Sequence, residues 1–218
     1  MNYIYCSRID GFSREWFYAQ RNLLDKNQRT TLDQFRFDDD KRRMLLGRML
    51  LRYALKKHEG YQSERFPHLH YSRYGKPAVI GMKGGFNIAH AGVWAVCAYS
   101  TQGPIGVDIE QRVPVDIYEY QSVLTADEFT LLIQGDGIDF FRLWSLKEAV
   151  IKADGRGFYL SPASFILPRR WANGVDTTVA EQRWYLYSQD IEEEYALAAA
   201  STSSKTKVFL LPFDALLS

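Results

Sequence analysis

Gly106-Val107-Asp108-Ile109-Glu110 is the stretch on which the reading of this chain turns. In an extended strand, Ile105, Val107 and Ile109 fall on one face and Gly106, Asp108 and Glu110 on the other. Two carboxylates then project side by side, about 6–7 Å apart. They are close enough to share one ion and repel each other without it. Alone, the same pattern also describes an edge strand with a solvated acidic face.

The second informative stretch, Trp144-Ser145-Leu146-Lys147-Glu148-Ala149-Val150-Ile151-Lys152, reads as a helix. Leu143, Leu146, Val150 and Ala153 form its apolar stripe, with Glu148 and Lys152 four residues apart on the opposite face. Such a pair is often surface decoration, but Trp144 shares the polar side, and the wall of a ligand pocket would account for it. If this helix meets the acidic strand, Asp108, Glu110 and Glu148 can hold a hard cation against a phosphate. Lys147 and Lys152 would then neutralise the phosphate oxygens.

Around these stretches, 218 residues suffice for one large domain or two halves of about 100 residues each. The 27 basic and 26 acidic side chains nearly cancel, which leaves no global field for nucleic acid or an anionic membrane. Cys6 and Cys97 read as buried free thiols, Cys97 because it sits in an apolar run. Met1-Asn2-Tyr3-Ile4-Tyr5 lacks a basic leader, and no window approaches about 18 apolar residues. A soluble cytoplasmic protein is expected.

Residues 2–9 read as a strand and 14–35 as mostly helical. A better-marked helix begins at Asp38-Asp39-Asp40, ends near Gly60 and repeats Leu46, Met49, Leu50 and Tyr53 at helical spacing. On its far side Lys41, Arg48 and Arg52 share a sector, with Arg42 and Arg43 beside the first turn, and this reads as a solvated basic face. Strands are expected over 68–74 and 86–101, around a loop rich in glycine and proline, with a hinge at Gly103-Pro104 between two halves of similar size. Thr125-Ala126-Asp127-Glu128 is a capping box, Gly135-Asp136-Gly137 stops its helix, and the helix over 140–153 follows. Strands return around Arg183–Tyr187 and Tyr195–Ala199. Alternating helices and strands in both halves predict an α/β fold, or α+β layers.

Phe86-Asn87-Ile88-Ala89-His90-Ala91-Gly92 places an imidazole among small residues that let a ligand approach the backbone, and Lys76 precedes Pro77 in a short loop. Neither is distinctive alone. Taken in order, Gly-Lys-Pro, Phe-Asn-x-x-His, Gly-Val-Asp-Ile-Glu and Trp-x-x-Lys-Glu-Ala-x-x-Lys-x-x-Gly-x-Gly resemble the 4′-phosphopantetheinyl transferases of the surfactin-synthetase-activating (Sfp-type) group. The blocks cover about residues 74–158, and Arg43 to Gly47 extends them towards the N-terminus.

The resemblance implies two similar halves in a pseudo-twofold fold with the active site in the cleft between them. Residues 1–102 would bind coenzyme A, and 103–218 would carry the metal site and dock the carrier. Asp108, Glu110 and Glu148 would bind Mg²⁺, Lys152 and His90 would contact phosphate oxygens, and Lys147 would stand beside the acidic cluster. Lys76 and Arg43 would line the adenosine 3′-phosphate end, and Glu148 or a metal-bound water would take the serine proton. The implied reaction moves phosphopantetheine from coenzyme A to a serine of an acyl, polyketide or peptidyl carrier protein, releasing 3′,5′-ADP. A monomer would suffice, with no nucleic acid or membrane involved.

Ala89 and Ala91 stand where the family usually has serine, and Gln28 and Thr31 where some members are basic. A lost neutral hydrogen bond is worth about 0.5–1.5 kcal/mol. Docking of the carrier is expected on about 113–133, through Tyr118, Tyr120, Val123 and Leu124. Two rivals share the same residues: a metal-dependent pyrophosphatase or nucleotidyl transferase, and an inactive carrier-binding module.

Overall fold

A computed structural model of the chain describes residues 1–135, 137–168 and 173–217, so Asp136 of the expected helix stop lies outside the described residues. The first half contains β1 (Asn2–Arg8), α1 (Arg14–Leu23), α2 (Lys26–Gln34), α3 (Asp38–His58), β2 (His70–Tyr71), β3 (Pro77–Ala78), β4 (Gly85–Ala91) and β5 (Trp94–Ser100). The second contains β6 (Ile105–Gln111), α4 (Ala126–Gln134), α5 (Phe140–Asp154), β7 (Asp176–Val179), β8 (Gln182–Ile191), β9 (Tyr195–Ser201) and β10 (Thr206–Leu210).

Each half repeats one plan: a strand, a long helix, then an antiparallel pair whose second strand lies beside the first. In sheet one the order is β10-β1-β5-β4, and in sheet two it is β6-β9-β8-β7. The terminal strand β10 leaves the second half and pairs parallel to β1.

The layers follow from strands apolar on both faces. Every residue of β5 and of β9 is buried. On β5, Ala95, Cys97 and Tyr99 join a core with α3 residues such as Leu46 and Leu50. Trp94, Val96 and Ala98 instead meet Val107, Leu197 and Ala199 of sheet two. On β9, Ala198 and Ala200 pack beneath Leu146 and Val150 of α5. The result is four layers: α3, sheet one, sheet two and α5. Cys6 and Cys97 are buried free thiols, as their apolar neighbours required.

Residues 14–35 are mostly helical, as expected, and form two helices, because Asp25 accepts from the Gln28 amide and Gln28 reaches back, so a capping box restarts the chain. Two local expectations are corrected. Of the strand expected over 68–74, only His70–Tyr71 pairs, with Pro77–Ala78. The far side of α3 is roofed rather than solvated. Arg52 is 5% exposed, donates to Glu64 O and Gln20 Oε1, and lies over the Phe66 ring. Arg48 is half-buried beside Tyr71. No described helix is long and apolar enough to cross a membrane.

β6 is the edge strand of sheet two, and α5 crosses it at backbone contact. A Cβ on Gly106 would overlap the Ala149 carbonyl oxygen and the Ala153 amide nitrogen. Because the obstacle is backbone, rotamer changes cannot relieve it. Gly106→Ala is therefore expected to lower unfolding free energy by at least about 2 kcal/mol, measured by urea denaturation. An unchanged midpoint would show that α5 does not depend on this approach.

Candidate active site

Beyond Gly106 on the same face of β6 come Asp108 and Glu110, and the helix that Gly106 admits carries Glu148 and Lys152 opposite them. Lys152 Nζ donates to Asp108 Oδ1 at 2.6 Å. Asp108 is 4% exposed, and its other oxygen, Oδ2, is buried without a hydrogen-bond partner. Trp144 hydrogen-bonds Glu110 and packs edge-on to Tyr120, which explains an aromatic on the polar side of α5.

The charges are unbalanced. Burial and then the charge of Asp108 push the Glu110 carboxyl up to about 7, against the pull of Lys152. Glu148 is also raised, by burial and Asp108, with Lys152 opposing. Burial works to lower the Lys152 ammonium, but attraction to Asp108, Glu148 and Glu110 outweighs it and the net shift is upward. Three carboxylates thus face one lysine, with a buried acceptor to spare.

Among the described residues, no group of three or more His, Cys, Asp or Glu is arranged to hold a metal ion by itself. Lys152 already occupies one oxygen of Asp108. The donor set still suits Mg²⁺, which usually takes one or two carboxylates and completes its octahedron with substrate phosphate and water. An all-protein cage is not what this ion requires.

Basic groups stand on the facing half. His90, near the end of β4, has its pKa lowered by burial and by the charges of Arg43 and Lys152. Arg43, in the first turns of α3, donates to Gly92 O and pairs with Asp40. Lys76 Nζ donates to Ala153 O at 2.8 Å, and burial lowers its pKa to about 8 against the pull of Asp154. A cavity of about 270 Å³ is lined by Tyr74, Lys76, Asn87, Glu148, Lys152 and Phe158, residues drawn from both halves.

Two expectations need correction. Lys147 does not stand beside the acidic cluster: it is 0% exposed and ion-paired with Glu128, on a different side of α5 from Glu148. One helical step rotates a side chain by about 100°, so adjacency in sequence separates the two. Leu124 is buried in the core of the second half and cannot present itself to a partner, whereas Tyr118, Val113 and Ile133 are exposed. Asn87 had no role from the sequence, yet its Oδ1 accepts from Val107 N at 2.9 Å and joins the edge of sheet one to that of sheet two. A polar residue inside a largely buried strand was the available signal.

Glu110 also sets a pH dependence. Its carboxyl titrates near 7 in the folded chain against an ordinary 4.5. Between these values the unfolded chain has released a proton that the folded chain retains, so this group makes stability fall as pH rises through the window. In EDTA, Glu110→Gln should show a smaller loss of melting temperature than wild type between about pH 5 and about pH 7. Parallel melting curves for the two proteins would contradict the assignment.

Comparison with known proteins identifies the family of both halves. Residues 104–200 match the profile of the 4′-phosphopantetheinyl transferase superfamily, and residues 11–102 match that of the 4′-phosphopantetheinyl transferase N-terminal region. The 4′-phosphopantetheinyl transferase Sfp of Bacillus subtilis is 28% identical over 189 residues, covering 83% of each chain. The 4′-phosphopantetheinyl transferase psf-1 of Bacillus pumilus is 35% identical over 162 residues, or 72% of this chain and 68% of the relative. The 4′-phosphopantetheinyl transferase gsp of Aneurinibacillus migulanus is 32% identical over 173 residues, or 76% of this chain and 70% of the relative. With both halves matched by the family profiles and relatives above 30% identity covering more than two thirds of the chain, the chain belongs to the Sfp-type 4′-phosphopantetheinyl transferases, enzymes that move phosphopantetheine from coenzyme A to carrier proteins.

Proposed function

We propose that the chain uses Mg²⁺ to transfer 4′-phosphopantetheine from coenzyme A to a serine hydroxyl of an acyl, polyketide or peptidyl carrier protein, releasing 3′,5′-ADP. The observation that carries this reading is the buried, unpartnered Oδ2 of Asp108 beside two carboxylates that burial has raised. Asp108, Glu110 and Glu148 are the proposed ligands. A cation held by them would supply charge neutralisation for pyrophosphate oxygens and for the departing phosphate.

Lys152, kept protonated by its carboxylate neighbours, is assigned to the phosphate oxygens together with His90. Arg43 and Lys76 are assigned to the 3′-phosphate end. Glu148 has no ion-pair partner within salt-bridge distance in the described residues, and its raised pKa suits a base. It accepts the serine proton as Oγ bonds to the β-phosphorus. The bond from that phosphorus to the bridging oxygen breaks, and its electron pair leaves with 3′,5′-ADP. In this reading residues 1–102 supply most of the coenzyme pocket, and residues 103–218 supply the metal ligands and the carrier-facing surface around Val113, Tyr118 and Ile133.

Purified protein incubated with coenzyme A, Mg²⁺ and a panel of apo carrier proteins should add one phosphopantetheine to at least one carrier, seen as an intact-mass gain that EDTA abolishes. Coenzyme A cleaved without carrier modification would indicate a pyrophosphatase instead. Glu148→Gln should reduce kcat at least about 100-fold, while coenzyme A still binds in a calorimeter. Full activity in that variant would remove Glu148 from the chemistry. Because Lys76 loses its charge near pH 8, coenzyme A affinity should weaken from about pH 7 to about pH 9. Lys76→Met should flatten that profile, and a persisting slope would place the titrating group elsewhere.

A further inference from the structure

Lys147 is a fully buried cation, and the site described above does not use it. Its Nζ lies 2.9 Å from Glu128 Oε2 and donates to Pro162 O at 2.8 Å and Phe165 O at 2.7 Å, with the Phe165 ring beneath it. Glu128 is itself 5% exposed. Its Oε2 accepts from Thr125 N and Oγ1 in the capping box that opens α4, and its Oε1 is buried without a partner. Well-packed apolar residues of similar volume commonly match or exceed the stability of such a pair. Stability alone therefore does not account for it.

What the pair does is geometric. It fastens three pieces at one point: the first turn of α4, the segment carrying Pro162 and Phe165, and α5 at the residue next to Glu148. Each of the first two continues to one flank of the cleft. The chain before α4 packs Tyr120 against Phe140 and Trp144, the latter bonded to Glu110. The segment after α5 passes through Phe158, which lines the same cavity as Glu148 and Lys152. Both flanks expose large apolar side chains, Tyr118 and Ile133 on one, Tyr159 and Ile166 on the other.

We infer that Lys147 and Glu128 are positioning residues for the carrier protein, holding the two flanks in register with the helix that bears Glu148. Neither lines the cavity that Glu148 and Lys152 share. The inference rests on the transferase reading above and deepens it, by assigning the buried pair to carrier docking rather than to coenzyme binding.

The test uses the Lys147→Met, Glu128→Gln double variant, which leaves no buried charge unpaired and keeps a glutamine able to complete the capping box. Circular dichroism and a cooperative melt establish that it is folded. Its Kd for coenzyme A with Mg²⁺ should stay within about twofold of wild type. Its KM for the carrier should rise about tenfold, equivalent to about 1.4 kcal/mol of docking energy. Glu128→Gln alone should move the carrier KM in the same direction. A weakened coenzyme A Kd with an unchanged carrier KM would overturn the inference, because Lys147 would then be acting on the coenzyme. Two unchanged constants would overturn it equally, leaving the pair as core filling. If wild type itself modifies no carrier, the transferase reading fails first, and the wild-type control distinguishes that failure from failure of the inference.

Discussion

The close approach of α5 to β6 at Gly106 is the constraint on which the site depends. With no Cβ in the way, the helix backbone at Ala149 and Ala153 comes against the strand. That contact sets the depth at which Glu148 and Lys152 face Asp108 and Glu110. A helix held further away would separate Lys152 from Asp108, and with them the two halves of the charge arrangement. The glycine therefore acts on chemistry through distance.

The same closeness has an electrostatic cost. Asp108, Glu110 and Glu148 crowd one ammonium, two of the three carboxyls are raised, and one buried oxygen is left unpaired. Such an arrangement costs folding stability, and the four-layer body around it supplies what is lost. Sheet one and sheet two share a core built from Val96, Ala98, Val107 and Leu197, while each long helix closes its own core outside. Strain of this kind is tolerable where packing over-determines the backbone.

Much of the site was legible because its signals are periodic. The alternation of 105–110 and the apolar stripe of α5 each fix which way a side chain points, and Trp144 on the polar side betrayed a second covered surface. What escaped the reading depended on partners distant in sequence. Arg48 and Arg52 looked like solvent-facing residues of α3, but Gln20 of α1 and the segment of Glu64 and Phe66 cover Arg52, and Tyr71 lies beside Arg48. Lys147 read as a neighbour of the acidic cluster because it is adjacent to Glu148, but its partner Glu128 lies nineteen positions earlier on another helix. The return of β10 to β1 across nearly the whole chain left no local trace.

Gly103-Pro104 read as a hinge, and the surrounding structure argues for a rigid seam. Asn87 bridges the sheet edges through Val107, Gly84 and Gly103 form a β-bridge, and Lys76 reaches from the first half to the carbonyl of Ala153 at the end of α5. The strand β10 fastens the end of the second half to the first sheet. Opening such a joint would expose the core shared by the two sheets, a cost proportional to the apolar area returned to water. These contacts fix the charges of the cleft relative to one another across the seam. Electrostatic stabilisation of a transferring phosphoryl group works best in that condition, since no dipole or charge must reorient at the moment of reaction. The exposed flanks on either side are held from behind by Lys147 and Glu128.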